Sequence, residues 1–160
     1  GHRRIAYAGG PVGIDTAERR RRGYESAMEA AGLSIDPSLV VAGGSTSAGG
    51  ADSAARVLRG SERPTAIVAA DATLGLGVWH ELHTQGLSVP ADVSLIAIHK
   101  LPDEDFRIPP MTCVEMPLRE LGQRAVELVI EEPWDAPISE TLTGELAISG
   151  GATVAAPARR

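Results

Sequence analysis

The sequence predicts an α/β fold, built on a doubly wound, mainly parallel sheet with helices on both faces. Short apolar segments rich in Val, Ile and Ala recur along the 160 residues without polar alternation. Such segments are typical of strands that are covered on both faces. Each is followed by a polar or glycine-rich turn and then by helical spacing, the order expected of strand–helix units around a parallel sheet.

The first unit shows the pattern. Residues 4–8 form a short apolar strand, which ends at Gly9-Gly10-Pro11 because glycine and proline interrupt regular structure. Thr16 is then a candidate N-cap for a helix over 17–31, and Gly32 ends that helix.

The central unit is the segment PTAIVAADATLGLG, residues 64–77. A buried strand over 66–70 stops at Asp71 and turns directly into a helix that reaches about residue 85. The carboxyl end of such a strand, beside a helix N-terminus, faces the ligand crevice in parallel sheets. The other predicted strands are 39–42, 93–98, 111–114 and 142–148, and the other predicted helices are 51–58 and 117–131.

Composition restricts the classes of function. The net charge of −6 argues against nucleic acid held by the overall field of the chain. A single cysteine, Cys113, excludes an internal disulfide and suits a reducing cytosol, so a cytoplasmic location is expected. No segment is long and apolar enough for a membrane span, and no signal peptide is evident. The abrupt start at Gly1 suggests a fragment.

Right-handed crossovers place all the parallel strand ends on one edge. The turns at 9–15 and 43–46, together with Asp71 and His99, would therefore meet there and form a binding site. Catalysis is not expected. The pair His80-x-x-His83 lacks the pattern of a zinc protease, and no nucleophile elbow, phosphate-binding loop or dinucleotide fingerprint is present. Accordingly, no catalytic residue, metal or cofactor is predicted.

Several segments occur in a recognisable order and spacing: GHRRIAYAGGP, RGYESAMEAAGL, DPSLVV, RPTAIVAAD, GLSVPADVSLIAI and PPMTCVEMPLRELGQRAVELV. With them the chain resembles the effector-binding core of bacterial transcription regulators of the lactose/galactose-repressor family, whose fold is that of periplasmic sugar-binding proteins. The resemblance implies that residues 1–112 and 142–160 form the C-terminal lobe. Residues 113–141 would then be a remnant of the N-terminal lobe plus linker, and the DNA-binding headpiece would be absent.

The resemblance also implies ligand-binding residues. Arg20 falls where the family places an effector-contacting arginine, and Pro11 lies in the first loop of the site. Asp71 stands in place of a usual asparagine, His99 in place of an aspartate, and Ser45 in place of an aromatic residue that stacks on a sugar. Three of these residues have a plainer alternative: Arg20 in solvent, Asp71 as a helix N-cap, and His99 paired with Asp71.

The implied function is effector sensing and dimerisation in a transcription regulator. A sugar or a small polar or acidic metabolite would modulate DNA binding by the missing headpiece, and a homodimer would form through Leu76 and Phe106. Local packing of these two side chains is the alternative. A solute-binding component of a sugar transporter and a dimerisation lobe with a degenerate pocket are the other hypotheses. The helix over 117–131 would lack its usual partner.

Overall fold

The computed structural model describes residues 1–99, 110–131, 139–141, 147–149 and 152–157. Their order is strand, helix, strand, helix through most of the chain. The strands are β1 (Ile5–Gly9), β2 (Val40–Ala42), β3 (Ala66–Ala69), β4 (Ser94–Ile98), β5 (Thr112–Glu115) and β6 (Ala147–Ser149). The helices are α1 (Asp15–Ala30), α2 (Ser47–Val57), α3 (Ala72–Thr84) and α4 (Leu118–Ile130), with a 3₁₀ turn at Pro37–Leu39.

The strands form one sheet in the order β2-β1-β3-β4-β5-β6. Strands β1 to β5 are parallel to their neighbours, whereas β6 pairs antiparallel with β5. The sequence-based prediction of a mainly parallel α/β sheet is therefore confirmed. The order reverses at β1, since β2 lies on one side of it and β3 on the other. Such a switch point opens a crevice at the carboxyl ends of the strands.

Helices pack on both faces of the sheet. On one face, Tyr7 of β1 stacks on Tyr24 of α1, with ring centroids 5.0 Å apart. The Tyr24 hydroxyl also donates a hydrogen bond to the Ile5 carbonyl oxygen at 2.9 Å, which ties α1 to β1. On the other face, α3 lies so close to the sheet that a Cβ added at Gly75 would be 3.2 Å from the Cβ of Ala97.

Helices α2 and α3 touch backbone to backbone. A Cβ at Gly77 would lie 1.8 Å from the Ser47 carbonyl oxygen, and one at Gly50 would lie 2.1 Å from that of Leu74. Any side chain at either position would force the helices apart. This contact explains how a segment as glycine-rich as the start of α2 is helical, because tertiary packing outweighs its weak helix propensity.

Two helix starts differ from those predicted. Helix α1 begins at Asp15, and its N-cap is Ile14, which makes no capping hydrogen bond, so the N-cap predicted at Thr16 is wrong. Helix α2 begins at Ser47, four residues before the predicted start. Its N-cap is Thr46, whose hydroxyl accepts a hydrogen bond from the Gly49 N–H at 3.0 Å. Of the last predicted strand, residues 142–146 lie outside the described residues.

Helix α4 has no buried residue. Its large apolar side chains are exposed, with Val129 78% and Ile130 73% accessible. On its other flank, Arg124 forms ion pairs with Glu127, Glu131 and Glu140. The apolar face expected to lack a partner is thus open to solvent, while β5, immediately before it, is part of the sheet.

Candidate functional site

The carboxyl ends of the parallel strands meet at one edge of the sheet. Strands β3 and β4 pair Ala69 with Ala97, so Asp71 and His99 each stand two residues beyond that pair. Strands β1 and β2 end beside them, and the Gly43 N–H donates to the Gly9 carbonyl oxygen at 3.0 Å. The turns after four strands therefore share this edge, which we call the ligand edge.

Arg20 reaches the ligand edge from α1. Its Nη1 donates a hydrogen bond to the Ala70 carbonyl oxygen at 2.9 Å, at the end of β3 and one residue before Asp71. Among the described residues, its Nε and Nη2 groups have no hydrogen-bond acceptor. The side chain is half-buried rather than lying freely in solvent. The backbone contact positions the guanidinium and leaves donors free for a ligand.

Asp71 is the N-cap of α3. Its Oδ1 accepts a hydrogen bond from the Leu74 N–H at 2.8 Å. The other oxygen, Oδ2, makes no hydrogen bond within the described part of the chain. The alternative of a helix cap is thus confirmed, and the geometry leaves one carboxylate oxygen for a ligand as well.

His99 ends β4 in a left-handed backbone conformation, with φ of 70°. A non-glycine residue there is uncommon, and its N–H donates to the Val114 carbonyl oxygen at 2.7 Å, which anchors this turn to β5. No hydrogen bond or ion pair joins His99 to Asp71, although the structure describes both residues. The suggested pairing of His99 with Asp71 is therefore wrong.

Ser45 and Pro11 lie in the turns after β2 and β1. The two turns approach each other, since a Cβ at Gly10 would lie 3.7 Å from the Ser45 Oγ and 3.2 Å from the Ala17 Cβ. The Ser45 side chain is exposed and Pro11 is half-buried. Both residues thus border the ligand edge without a bulky side chain to fill it.

The predicted dimer surface is described only on α3. Leu76 is half-buried, and with Trp79, His80 and His83 it lines a shallow cleft along the outer side of that helix. Its partner in the prediction, Phe106, lies outside the described residues. Sequence analysis missed Trp79, although its spacing of three residues from Leu76 places both on one helix face.

Besides the cleft on α3, a cavity of about 320 Å³ opens between α1 and the β1–β2 side of the sheet. Tyr7 lines it, and the Tyr7 hydroxyl is buried with no hydrogen-bond partner among the described residues. Burial raises the pKa of Tyr7 to about 12, while the nearby Arg20 and Arg21 guanidinium groups act in the opposite direction. Sequence analysis did not identify this cavity.

Among the described residues, no group of three or more His, Cys, Asp or Glu side chains could hold a metal ion. Cys113 is buried. No described helix has both the length and the apolar character needed to cross a bilayer.

Comparison with known proteins identifies the family. Residues 1–148 match the model of the periplasmic binding protein-like domain. The chain is 34% identical over 130 residues to the ribose operon repressor of Escherichia coli strain K12, and 34% identical over 131 residues to the HTH-type transcriptional repressor PurR of Haemophilus influenzae strain PittEE. These alignments cover 81% and 82% of the chain but 39% of each repressor, so the chain spans well under half of their length.

A solved structure supports the same family assignment. A sugar-binding transcriptional regulator of the LacI family from Escherichia coli, complexed with phosphate, superposes with a TM-score of 0.88 at 25% identity. That match covers 98% of this chain and 56% of the regulator. The resemblance to the effector-binding core of lactose/galactose-type repressors is therefore confirmed, and the chain belongs to the periplasmic binding protein-like domain family.

Proposed function

We propose that the chain is the effector-binding part of a transcription regulator, and that the ligand edge binds a small hydroxylated molecule such as a sugar. The observation that carries the proposal is the placement of Arg20 and Asp71. The guanidinium donates a hydrogen bond to the Ala70 carbonyl, one residue before Asp71, and each group keeps hydrogen-bonding capacity that no described residue uses.

The chemistry of these groups suits neighbouring hydroxyls. A guanidinium donates two parallel hydrogen bonds, and a carboxylate oxygen accepts from a hydroxyl. A sugar offers both acceptors and donors on adjacent carbons. The half-buried imidazole of His99 supplies a further polar group at the same edge. Because Ser45 is small, position 45 offers no aromatic platform for a sugar ring, so hydrogen bonds would account for most of the affinity contributed by the described residues.

The remainder of the protein would act through this lobe. We infer that α4 packs against an N-terminal lobe, because its apolar face is open to solvent in this chain. Ligand binding between the lobes would shift the balance between their arrangements and so alter DNA binding by a headpiece. A homodimer would form through the Leu76–Trp79 side of α3. A cytoplasmic, non-enzymatic role follows from this proposal and fits relatives that are named as repressors.

Isothermal titration calorimetry with two probes tests the site. D-ribose is the sugar named with one relative, and inorganic phosphate is the ligand of one solved structure. We expect D-ribose to bind, and phosphate to bind more weakly because the Asp71 carboxylate repels an anion. Arg20→Ala should weaken ribose binding by about 10- to 100-fold, since a hydrogen bond to a charged group contributes about 1.5–3 kcal/mol.

Arg19→Ala is the matched control. Arg19 is the preceding residue of α1, is largely exposed and pairs with Asp15. Its removal takes away the same charge without touching the ligand edge, so affinity should stay within about twofold. If D-ribose does not bind, or if both arginine variants lose affinity equally, the proposed site is refuted.

A further inference from the structure

We propose that the cavity between α1 and the β1–β2 side of the sheet is a second ligand site, which adjoins the ligand edge but is not lined by Arg20, Asp71 or His99. It would bind a small, uncharged organic molecule with an apolar body and one hydrogen-bond acceptor. The Tyr7 hydroxyl would donate to that acceptor. We call this cavity the Tyr7 pocket.

The unpartnered hydroxyl is the first argument. Tyr7 is 1% exposed, and its hydroxyl oxygen has no partner among the described residues. A buried polar group without a partner is costly, so such groups nearly always bond to protein, water or a ligand. The Tyr7 hydroxyl is protonated at neutral pH, as any tyrosine with a pKa of 10.0 or above is, and a protonated phenol is a hydrogen-bond donor.

The shape of the pocket is the second argument. The Tyr7 ring lies along the strand over Gly9, since a Cβ at Gly9 would be only 2.8 Å from a ring carbon, Cε1. Glycine at position 9 therefore makes room for the ring. The cavity holds about 320 Å³, enough for a single organic ring. Its remaining apolar lining comes from Val12, Ala17, Val40, Val41 and Ala42.

Charge at the mouth selects against anions. Arg21 lines the pocket, but its guanidinium is bound by Glu18 at 3.0 Å and also by Glu25. The hydrogen bonding that Arg21 donates to Glu18 is the largest of the effects that raise the Arg21 pKa. Two carboxylates already bind the one guanidinium that lines the pocket, so it offers no unpaired positive charge to an anion. A neutral ligand is therefore favoured over a carboxylate or a phosphate.

The Tyr7 pocket and the part of the ligand edge around Arg20 and Asp71 lie on different sides of α1. Arg20 points toward β3 and contacts Ala70, whereas Arg21 points toward β2 and lines the pocket. Adjacent helix residues are about 100° apart, which accounts for this division. Asp71, Ser45 and His99 do not line the pocket. The two sites thus use different side chains, although the turns after β1 and β2 border both.

Titration with cyclohexanone, followed by amide NMR shifts of the 160-residue chain, tests the proposal. Cyclohexanone has an apolar ring and one carbonyl acceptor. We expect saturable shifts centred on Gly9, Ala17 and Ala42. Tyr7→Phe keeps the ring and should weaken binding about three- to tenfold, the effect of losing one neutral hydrogen bond. Cyclohexanecarboxylate, which adds only a charge, should bind more weakly than the ketone.

Two further variants make the test decisive. Tyr24→Phe removes the hydroxyl of the stacked ring, which bonds to Ile5 and does not line the pocket, so affinity should change less than twofold. Ala42→Phe fills the pocket from an exposed position and should abolish binding. Absence of saturable shifts, equal affinity in Tyr7→Phe and the unmodified chain, or shifts centred on Asp71 would each overturn the proposal.

Discussion

Asp71 has two roles that one pair of substitutions separates. Its Oδ1 caps α3 through the Leu74 N–H, and its Oδ2 makes no hydrogen bond to any described residue, which leaves it for the proposed ligand. Asp71→Ala removes both functions. Asp71→Asn keeps an oxygen that can cap the helix, since asparagine and aspartate are about equally good N-caps, but it removes the negative charge.

The expected stability changes follow from the cap. Loss of an N-cap costs about 0.5–2 kcal/mol of the free energy of unfolding. The upper half of that range applies here, because the first turn of α3 includes the buried Ala72 and Leu74. At about 2–4 °C per kcal/mol for a chain of this size, Asp71→Ala should lower Tm by roughly 2–8 °C. Asp71→Asn should stay within about 2 °C by the same conversion.

Thermal unfolding followed by circular dichroism measures the first role, and calorimetry with D-ribose measures the second. Asp71→Ala should lose about 10-fold or more in affinity, corresponding to the loss of a charge-assisted hydrogen bond. Asp71→Asn should lose affinity while keeping its Tm. The reasoning fails if asparagine destabilises as much as alanine does. It also fails if a folded Asp71→Ala variant binds the sugar as tightly as the original chain.

Two further predictions concern packing and ionisation. Gly77→Ala should destabilise the chain by about 2–4 kcal/mol, because its Cβ would overlap the Ser47 carbonyl oxygen. The Cβ added by Gly23→Ala in α1 would meet nothing within 4 Å, so this substitution should stabilise the chain by about 0.5–1 kcal/mol. Urea unfolding measures both changes. Tyr7 has a folded pKa of about 12 against 10.0 when exposed, so its contribution to stability is complete below pH 10 and is lost as the pH rises toward 12. The free energy of unfolding, measured at a series of alkaline pH values, should fall over this range. In Tyr7→Phe the part of that fall that is due to Tyr7 should be absent.

The arrangement of strands could be predicted because local signals and global topology agree. The segment ending in Asp71 combines an apolar run, an N-cap residue and a helical stretch, and each signal indicates the same boundary. Once the sheet is parallel, Asp71 and His99 must lie at its carboxyl edge, since the register places them at equivalent positions. The ligand edge is thus a consequence of topology.

Contacts within the edge could not be predicted in the same way. The bond from Arg20 to Ala70 depends on how α1 is rotated over the sheet, and four consecutive arginines give no indication of which one turns inward. The left-handed backbone of His99 depends on the neighbouring strand, whose Val114 carbonyl accepts its N–H. The start of α2 was missed because its glycines favour a loop in isolation, and only packing against α3 makes them helical.

The rotation of α1 links the two proposed sites. Tyr24 and Met28, four residues apart on this helix, are buried against the sheet and set its orientation. With that orientation, Arg20 must face β3 and Arg21 must face β2. A substitution that removes the Tyr24 ring would therefore displace both guanidinium groups together, whereas Tyr7→Phe leaves the stacked rings in place. For this reason only substitutions that preserve both rings can separate binding at the ligand edge from binding in the Tyr7 pocket.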